Sequence, residues 1–217
     1  MADRGSGVRA VVFDLGGVLI DWDPRYLYRK IFAGEEEMED FLTKVATFEW
    51  HLEQDRGRTR KEGTALLLSQ YPWYEQEIEA YYERWDEMFG GPIEETVGVL
   101  RGLRERGLPL YALTNWSAEV FPLAREQYDF LAWFDDIVVS GEERMLKPEK
   151  EIYGVLVERT GLDPATTVFI DDSPANVHAA RELGFTGIEF RDADQLREDL
   201  ERLEVLPTAS KRPVPDA

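Results

Sequence analysis

The chain has no cysteine in 217 residues, which excludes disulfide staples, thiolate nucleophiles and cysteine metal sites. Histidine is nearly absent, with only His51 and His178. Positive charge is scarce: 25 basic residues face 44 acidic ones, a formal net charge of −19. That balance argues against a general nucleic-acid binder, because phosphate backbones demand basic surface. No apolar run approaches the length of a membrane-spanning helix, and the first seven residues carry no apolar leader core. These absences lead us to expect a cytoplasmic protein with neither a nucleic-acid nor a membrane partner.

What is present is a set of short, continuous apolar runs at residues 8–13, 108–113, 137–139, 168–170 and 187–190. Runs this apolar suit strands covered on both faces. Between the later ones lie helical spacings, such as Val97, Leu100 and Leu103 before Gly107, Ile152, Val155 and Leu156 before Gly161, and Val177, Ala180 and Leu183 before Gly184. A glycine just past the last periodic residue stops a helix. The alternation predicts an α/β fold with a doubly wound parallel sheet, whose crevice lies at the carboxyl ends of the strands. Residues 24–90 interrupt it with helical signal alone, including Tyr74, Ile78, Tyr81, Tyr82, Trp85 and Met88, a stripe read as packing. We therefore expect a core of 8–23 and 91–205, an inserted helical cap of 24–90, and loose termini at 1–7 and 206–217.

Four chemistry-bearing segments follow the apolar runs: Asp14-Leu15-Gly16-Gly17, Thr114-Asn115-Trp116-Ser117, Lys147-Pro148 and Asp171-Asp172-Ser173-Pro174-Ala175-Asn176. In a doubly wound sheet such ends converge, placing acids, a hydroxyl, an amide and an ammonium around one crevice. This is a set of groups for phosphoryl transfer. A carboxylate can attack phosphorus, a divalent cation lets two anions approach, and fixed donors hold the phosphoryl oxygens. Ser173 before Pro174 also reads as a helix N-cap.

In order and spacing these motifs resemble the haloacid dehalogenase superfamily of hydrolases, over residues 8–190. Phe13-Asp14-Leu15-Gly16-Gly17-Val18, Lys147-Pro148-Glu149 with Ile152-Tyr153, and Phe169-Ile170-Asp171-Asp172 resemble its glucose-1-phosphate phosphatase-like members. The resemblance implies Asp14 as nucleophile and ligand of Mg2+, with the Gly16 carbonyl and Asp172 as further ligands. Asp171 is implied as a supporting ligand or an acid behind the ligands, and Asn176 as orienting Asp172 or a metal-bound water. Thr114 is implied to bind a phosphoryl oxygen, Asn115 to position substrate or the neighbouring loop, and Lys147 to neutralise charge.

Gly16 occupies the place where many relatives carry a second aspartate that shuttles the proton of the leaving group. Glycine cannot do so; a metal-bound water, the substrate itself, His51 or Glu49 are the alternatives. His178 reads as helix packing, and Asp21 and Asp23 as caps of the first helix of the insertion. Residues 56–61, Arg-Gly-Arg-Thr-Arg-Lys, read as a solvated patch that would attract anionic substrates if it faced the crevice. The leading function is a magnesium-dependent phosphomonoesterase for a small phosphorylated metabolite such as a sugar phosphate. A metal-independent 2-haloacid dehalogenase and a non-catalytic binder of phosphate or metal are the alternatives, and the sequence leaves oligomeric state open.

Overall fold

The computed structural model describes residues 7–208. The expected loose termini lie mostly outside this span, but Leu206 falls inside it and packs on the core, its N–H donating to Leu200 O at 3.2 Å.

The chain opens with β1 (Ala10–Phe13), four residues all buried. A short strand, β2 (Ile20–Trp22), leads into the insertion. Five helices follow: α1 (Arg25–Tyr28), α2 (Glu35–Lys44), α3 (Phe48–Asp55), α4 (Arg60–Gln70) and α5 (Glu75–Glu83). Thr59 starts α4 with a capping box, its hydroxyl and the Glu62 carboxylate each satisfying the other's backbone N–H. The insertion closes with β3 (Phe89–Pro92), which returns antiparallel to β2. This two-stranded ribbon was not expected.

After β3 the alternation predicted from sequence resumes: α6 (Glu94–Glu105), β4 (Leu110–Thr114), α7 (Phe121–Gln127), β5 (Asp136–Val139), α8 (Ser140–Glu143), α9 (Lys150–Thr160), β6 (Thr167–Asp171), α10 (Pro174–Glu182), β7 (Thr186–Glu189) and α11 (Ala193–Arg202). Gly161 ends α9 in the left-handed region, φ 68°, as a helix-stopping glycine should. The five main strands form one parallel sheet in the order β5-β4-β1-β6-β7.

Side chains alternate across β1, so Val11 and Phe13 join one core and Val12 the other. On the first face α6, α7 and α11 supply Leu100, Leu103, Phe121, Ala124, Leu196 and Leu200. On the second, α9 and α10 supply Ile152, Tyr153, Leu156, Ala179 and Ala180. Helices on both faces explain why the strands read as unbroken apolar runs. The first core continues into the insertion through Tyr28, Phe41, Ile78 and Tyr81. Among the described residues no helix is long and apolar enough to cross a membrane.

Candidate active site

β1 lies between β4 and β6, so residues at the carboxyl ends of those three strands are neighbours. Asp14 follows Phe13 directly, and its N–H extends the ladder by donating to Ile170 O at 2.8 Å. Asp171 ends β6 and Thr114 ends β4. The order of the sheet brings three separated sequence motifs together, as expected at a strand-order reversal.

Lys147 arrives from the loop before α9 and binds both acids. Its Nζ lies 2.9 Å from Asp14 Oδ1 and 2.6 Å from Asp171 Oδ2. Asp14 Oδ1 also accepts from Leu15 N at 2.7 Å, which leaves Oδ2 without a protein partner. Asp171 is wholly buried and accepts additionally from Ser173 N at 2.9 Å and from Asn176 Nδ2 at 3.0 and 3.2 Å. Asn176 therefore hydrogen-bonds Asp171, where a role toward Asp172 or a metal-bound water was expected. Ser173 stands at the N-cap of α10 with Pro174 after it, but its side chain caps nothing and its N–H is used on Asp171.

Burial pushes the Asp14 carboxyl up to about 7, with Asp171 adding to the rise and Lys147 opposing it. Burial and the charge of Asp171 also raise Asp172. For Lys147, burial favours the neutral amine, but Asp14 and Asp171 outweigh it and raise its pKa. The ammonium is thus held charged where three carboxylates crowd.

Asp14, Asp171 and Asp172 offer oxygens within 4.8 Å of one another. Asp172 is the exposed member and has no side-chain partner. Gly17 makes that approach possible: at φ +71°, an added Cβ would stand 2.5 Å from Asp172 Oδ2. Gly16 lines the same cavity, and its carbonyl accepts no hydrogen bond from the described residues. Hard oxygen donors of this number and charge suit a small divalent cation.

Thr114 is buried at the cavity wall with its hydroxyl free of protein partners. Asn115 does not reach for the acids. Its amide clasps the backbone of Lys147, donating from Nδ2 to Lys147 O at 3.0 Å and accepting from Lys147 N at Oδ1 at 2.9 Å. It fixes the loop that delivers the ammonium, ahead of a cis Lys147–Pro148 bond.

The cavity above these groups is about 440 Å³. Much of its lining carries no signature in the sequence: Trp22 from β2, Phe48, Leu52 and Asp55 from α3, and Trp116 after β4. Trp85 lines it too, although the stripe to which it belongs was expected to be packing alone; the rest of that stripe lies outside the lining. Nothing in helical spacing distinguishes a ring on the core from a ring on a cavity.

His51 also faces this space, but both its nitrogens are engaged, Nε2 with Asp55 Oδ2 at 3.2 Å and Nδ1 with the Tyr81 hydroxyl at 3.1 Å. Glu49 is exposed and not part of the lining. His178, expected to pack, lies on the exposed side of α10 at 3.5 Å from Glu182. Asp23 does cap the first turn of the insertion, accepting from Arg25 N at 2.9 Å, whereas Asp21 accepts from the Tyr26 hydroxyl at 2.7 Å.

None of residues 56–61 lines the cavity. Arg56 forms a two-pronged pair with Glu149 at 2.5 and 3.0 Å. Arg58 donates to Gln54 Oε1 and Trp50 O, and Arg60 lies 3.7 Å from Glu119. The three arginines are absorbed into contacts within the insertion and across its seam with the sheet, while Lys61 is exposed.

The sequence model of haloacid dehalogenase-like hydrolases matches residues 8–184. A sesquiterpene phosphatase of Aspergillus oryzae is 30% identical over 186 residues, 85% of this chain and 91% of that protein. A D-ribitol-5-phosphate phosphatase of Bacteroides thetaiotaomicron is 24% identical over 200 residues, 89% of this chain and 97% of that one. Among solved structures, an enzyme of the HAD family from Bacteroides thetaiotaomicron, in complex with magnesium and inorganic phosphate, aligns with a TM-score of 0.65 at 26% identity, covering 85% of this chain and 95% of that chain.

Proposed function

The chain belongs to the haloacid dehalogenase-like hydrolases, and on that premise we propose that it is a magnesium-dependent phosphomonoesterase of a small phosphorylated metabolite, with Asp14 as nucleophile. The observation that carries the reading is the placement of Lys147 between Asp14 Oδ1 and Asp171 Oδ2, with Asp14 Oδ2 left open. The names of the relatives, a sesquiterpene phosphatase and a ribitol-5-phosphate phosphatase, support phosphate-ester hydrolysis across unlike alcohols.

Asp14 Oδ2 attacks phosphorus as the ester P–O bond breaks, and the electron pair of that bond leaves on the alcohol oxygen, which takes a proton from a solvent water. Water then hydrolyses the aspartyl phosphate and restores the carboxylate. Lys147 favours the ionised form of Asp14 against burial and offsets charge on the phosphoryl group, while Thr114 donates to a phosphoryl oxygen. Asn115 serves by holding the backbone of Lys147.

Asp14, the Gly16 carbonyl and Asp172 would hold Mg2+, with Asp171 behind them tying Lys147 and Asn176 into the set. The ion supplies charge neutralisation between the anionic nucleophile and the anionic ester. The acidic pair Asp171-Asp172 weighs against haloacid dehalogenation, because without a cation it would repel an anionic substrate. Residues 24–90 act as the cap over a core of 8–23 and 91–205.

The test is phosphate release from a panel of esters with magnesium or with chelator, run beside Asp14→Asn, with halide release from haloacids read on the same samples. Phosphate release that needs both Asp14 and the metal is expected. Retention of activity in Asp14→Asn, or halide release in chelator, would sink this reading.

A further inference from the structure

Resting on the phosphomonoesterase reading, we propose that the cavity selects phosphate esters of apolar, hydrocarbon-like alcohols over phosphorylated sugars and other polyols. The insertion and the loop after β4 present five apolar side chains to it: Trp22, Phe48, Leu52, Trp85 and Trp116. Phe48 is 63% exposed, a large ring at the cavity wall that leans on the His51 ring at 6.1 Å and leaves most of its surface open.

A buried hydroxyl that loses water must find a partner or carry its full desolvation cost. This wall offers almost none. Its polar side chains are His51 and Asp55, and both His51 nitrogens and Asp55 Oδ2 are already bonded. The indole nitrogens of Trp22, Trp85 and Trp116 have no hydrogen-bond partner among the described residues, but they are enclosed by protein and do not open on the cavity. Asp55 Oδ1 is likewise unpartnered and enclosed, so this wall turns no open hydrogen-bonding atom of these side chains toward a polyol. The nearby arginines are committed elsewhere: Arg56 to Glu149, Arg58 to Gln54 and Trp50, and Arg60 to Glu119. A second phosphate or carboxylate on the substrate would find no counter-charge.

The wall is also ordered before any ligand arrives. The His51 ring stacks against Trp22 at 4.9 Å and 19° and against Trp85 at 5.9 Å and 25°. A preformed apolar wall gains affinity from each hydrocarbon unit it covers with little ordering cost. The cavity of about 440 Å³ leaves room beyond the phosphoryl group for such a unit.

The experiment compares kcat/KM of the full chain, with magnesium, on n-alkyl phosphates of increasing length and on glucose 6-phosphate. A rise of about three- to fourfold per added methylene is expected until the cavity is filled, with the sugar phosphate well below the longer alkyl esters. Phe48→Ser with Leu52→Ser should reduce the slope to under about twofold per methylene, by the same area argument. A flat series, or preference for the sugar phosphate, with Asp14-dependent phosphate release intact, overturns this selectivity and leaves the phosphatase reading standing.

Binding separates the two ideas from the other side. Quenching of tryptophan fluorescence by n-alkylphosphonates needs no turnover. Affinity that climbs with chain length supports the apolar site even if no ester is hydrolysed, an outcome that would remove the phosphatase reading alone. Affinity independent of chain length overturns the selectivity.

Discussion

On the sheet side of the cavity, charge is buried in a closed circuit: Lys147 bridges Asp14 and Asp171, and Asn176 with the Ser173 N–H completes Asp171. On the helical side, rings are buried instead, and the ionisable pair His51–Asp55 sits among them with Asp55 Oδ1 unmatched. Both sides hold carboxylates that are almost fully enclosed. On the first side the buried charges of Lys147, Asp14 and Asp171 answer one another at hydrogen-bond distance, so removing one leaves the rest uncompensated. On the second side, shape carries the contact, and a change should be felt in which alcohol is accepted before it is felt in the rate of phosphorus chemistry.

The comparison breaks most readily at Asp14. Asp14→Asn should lower phosphate release by about ten-thousandfold or more, since no other open carboxylate oxygen is bridged to Lys147. Next comes Lys147→Met, which strands Asp14 and Asp171 together. A loss of about 3–5 kcal/mol in denaturant unfolding is expected, with kcat down by roughly a hundred- to a thousandfold.

Asn176→Ala touches neither substrate nor nucleophile but frees Asp171 to turn. We expect magnesium affinity to weaken by about ten- to a hundredfold, read by titrating the metal against activity. An unchanged titration would mean that the Ser173 N–H and Lys147 hold Asp171 unaided.

A pH series run on the wild type and Asp14→Asn together isolates the charged wall, since whatever titrates on the helical one is common to both. Asp14 is raised from 3.8 to about 7 in the fold, so between those values the folded metal-free protein binds more protons than the unfolded chain. Its stability must therefore fall as pH rises through that window, by at most about 4 kcal/mol. Asn at position 14 removes this penalty. Without metal, the unfolding midpoint of Asp14→Asn should gain on the wild type between pH 5 and pH 8, and a constant gap would refute the assignment. The smallest effect is expected across the cavity: Asp55→Asn keeps an acceptor for His51 and should change kcat by less than about threefold and stability by about 1 kcal/mol or less.

The sheet was legible in the sequence because β1, β4, β5 and β6 are covered on both faces and read as unbroken apolar runs. The chemistry was legible for the same reason, since Asp14, Thr114 and Asp171 each stand where an apolar run ends. β2 and β3 were not: Phe89-Gly90-Gly91-Pro92 has no strand pattern, and its pairing comes from where the two ends of the insertion meet. The bond from Asn176 to Asp171 was not legible, because which acid its amide turns to depends on the first turn of α10 rather than on spacing. Trp85 and Phe48 were hidden most completely, since an aromatic ring at helical spacing reads the same whether its outer face meets protein or open space.

The pair between Arg56 and Glu149 joins the end of α3 to the loop that carries Lys147. Glu149 Oε2 also receives the Leu146 N–H at 3.3 Å, and beside it Ser140 Oγ donates to Asp55 O at 2.6 Å. On this seam the helical part and the catalytic loop share one set of bonds. Widening the mouth on that flank would tug on the ammonium's own backbone, so admission of a bulky guest and readiness for reaction are mechanically geared to each other.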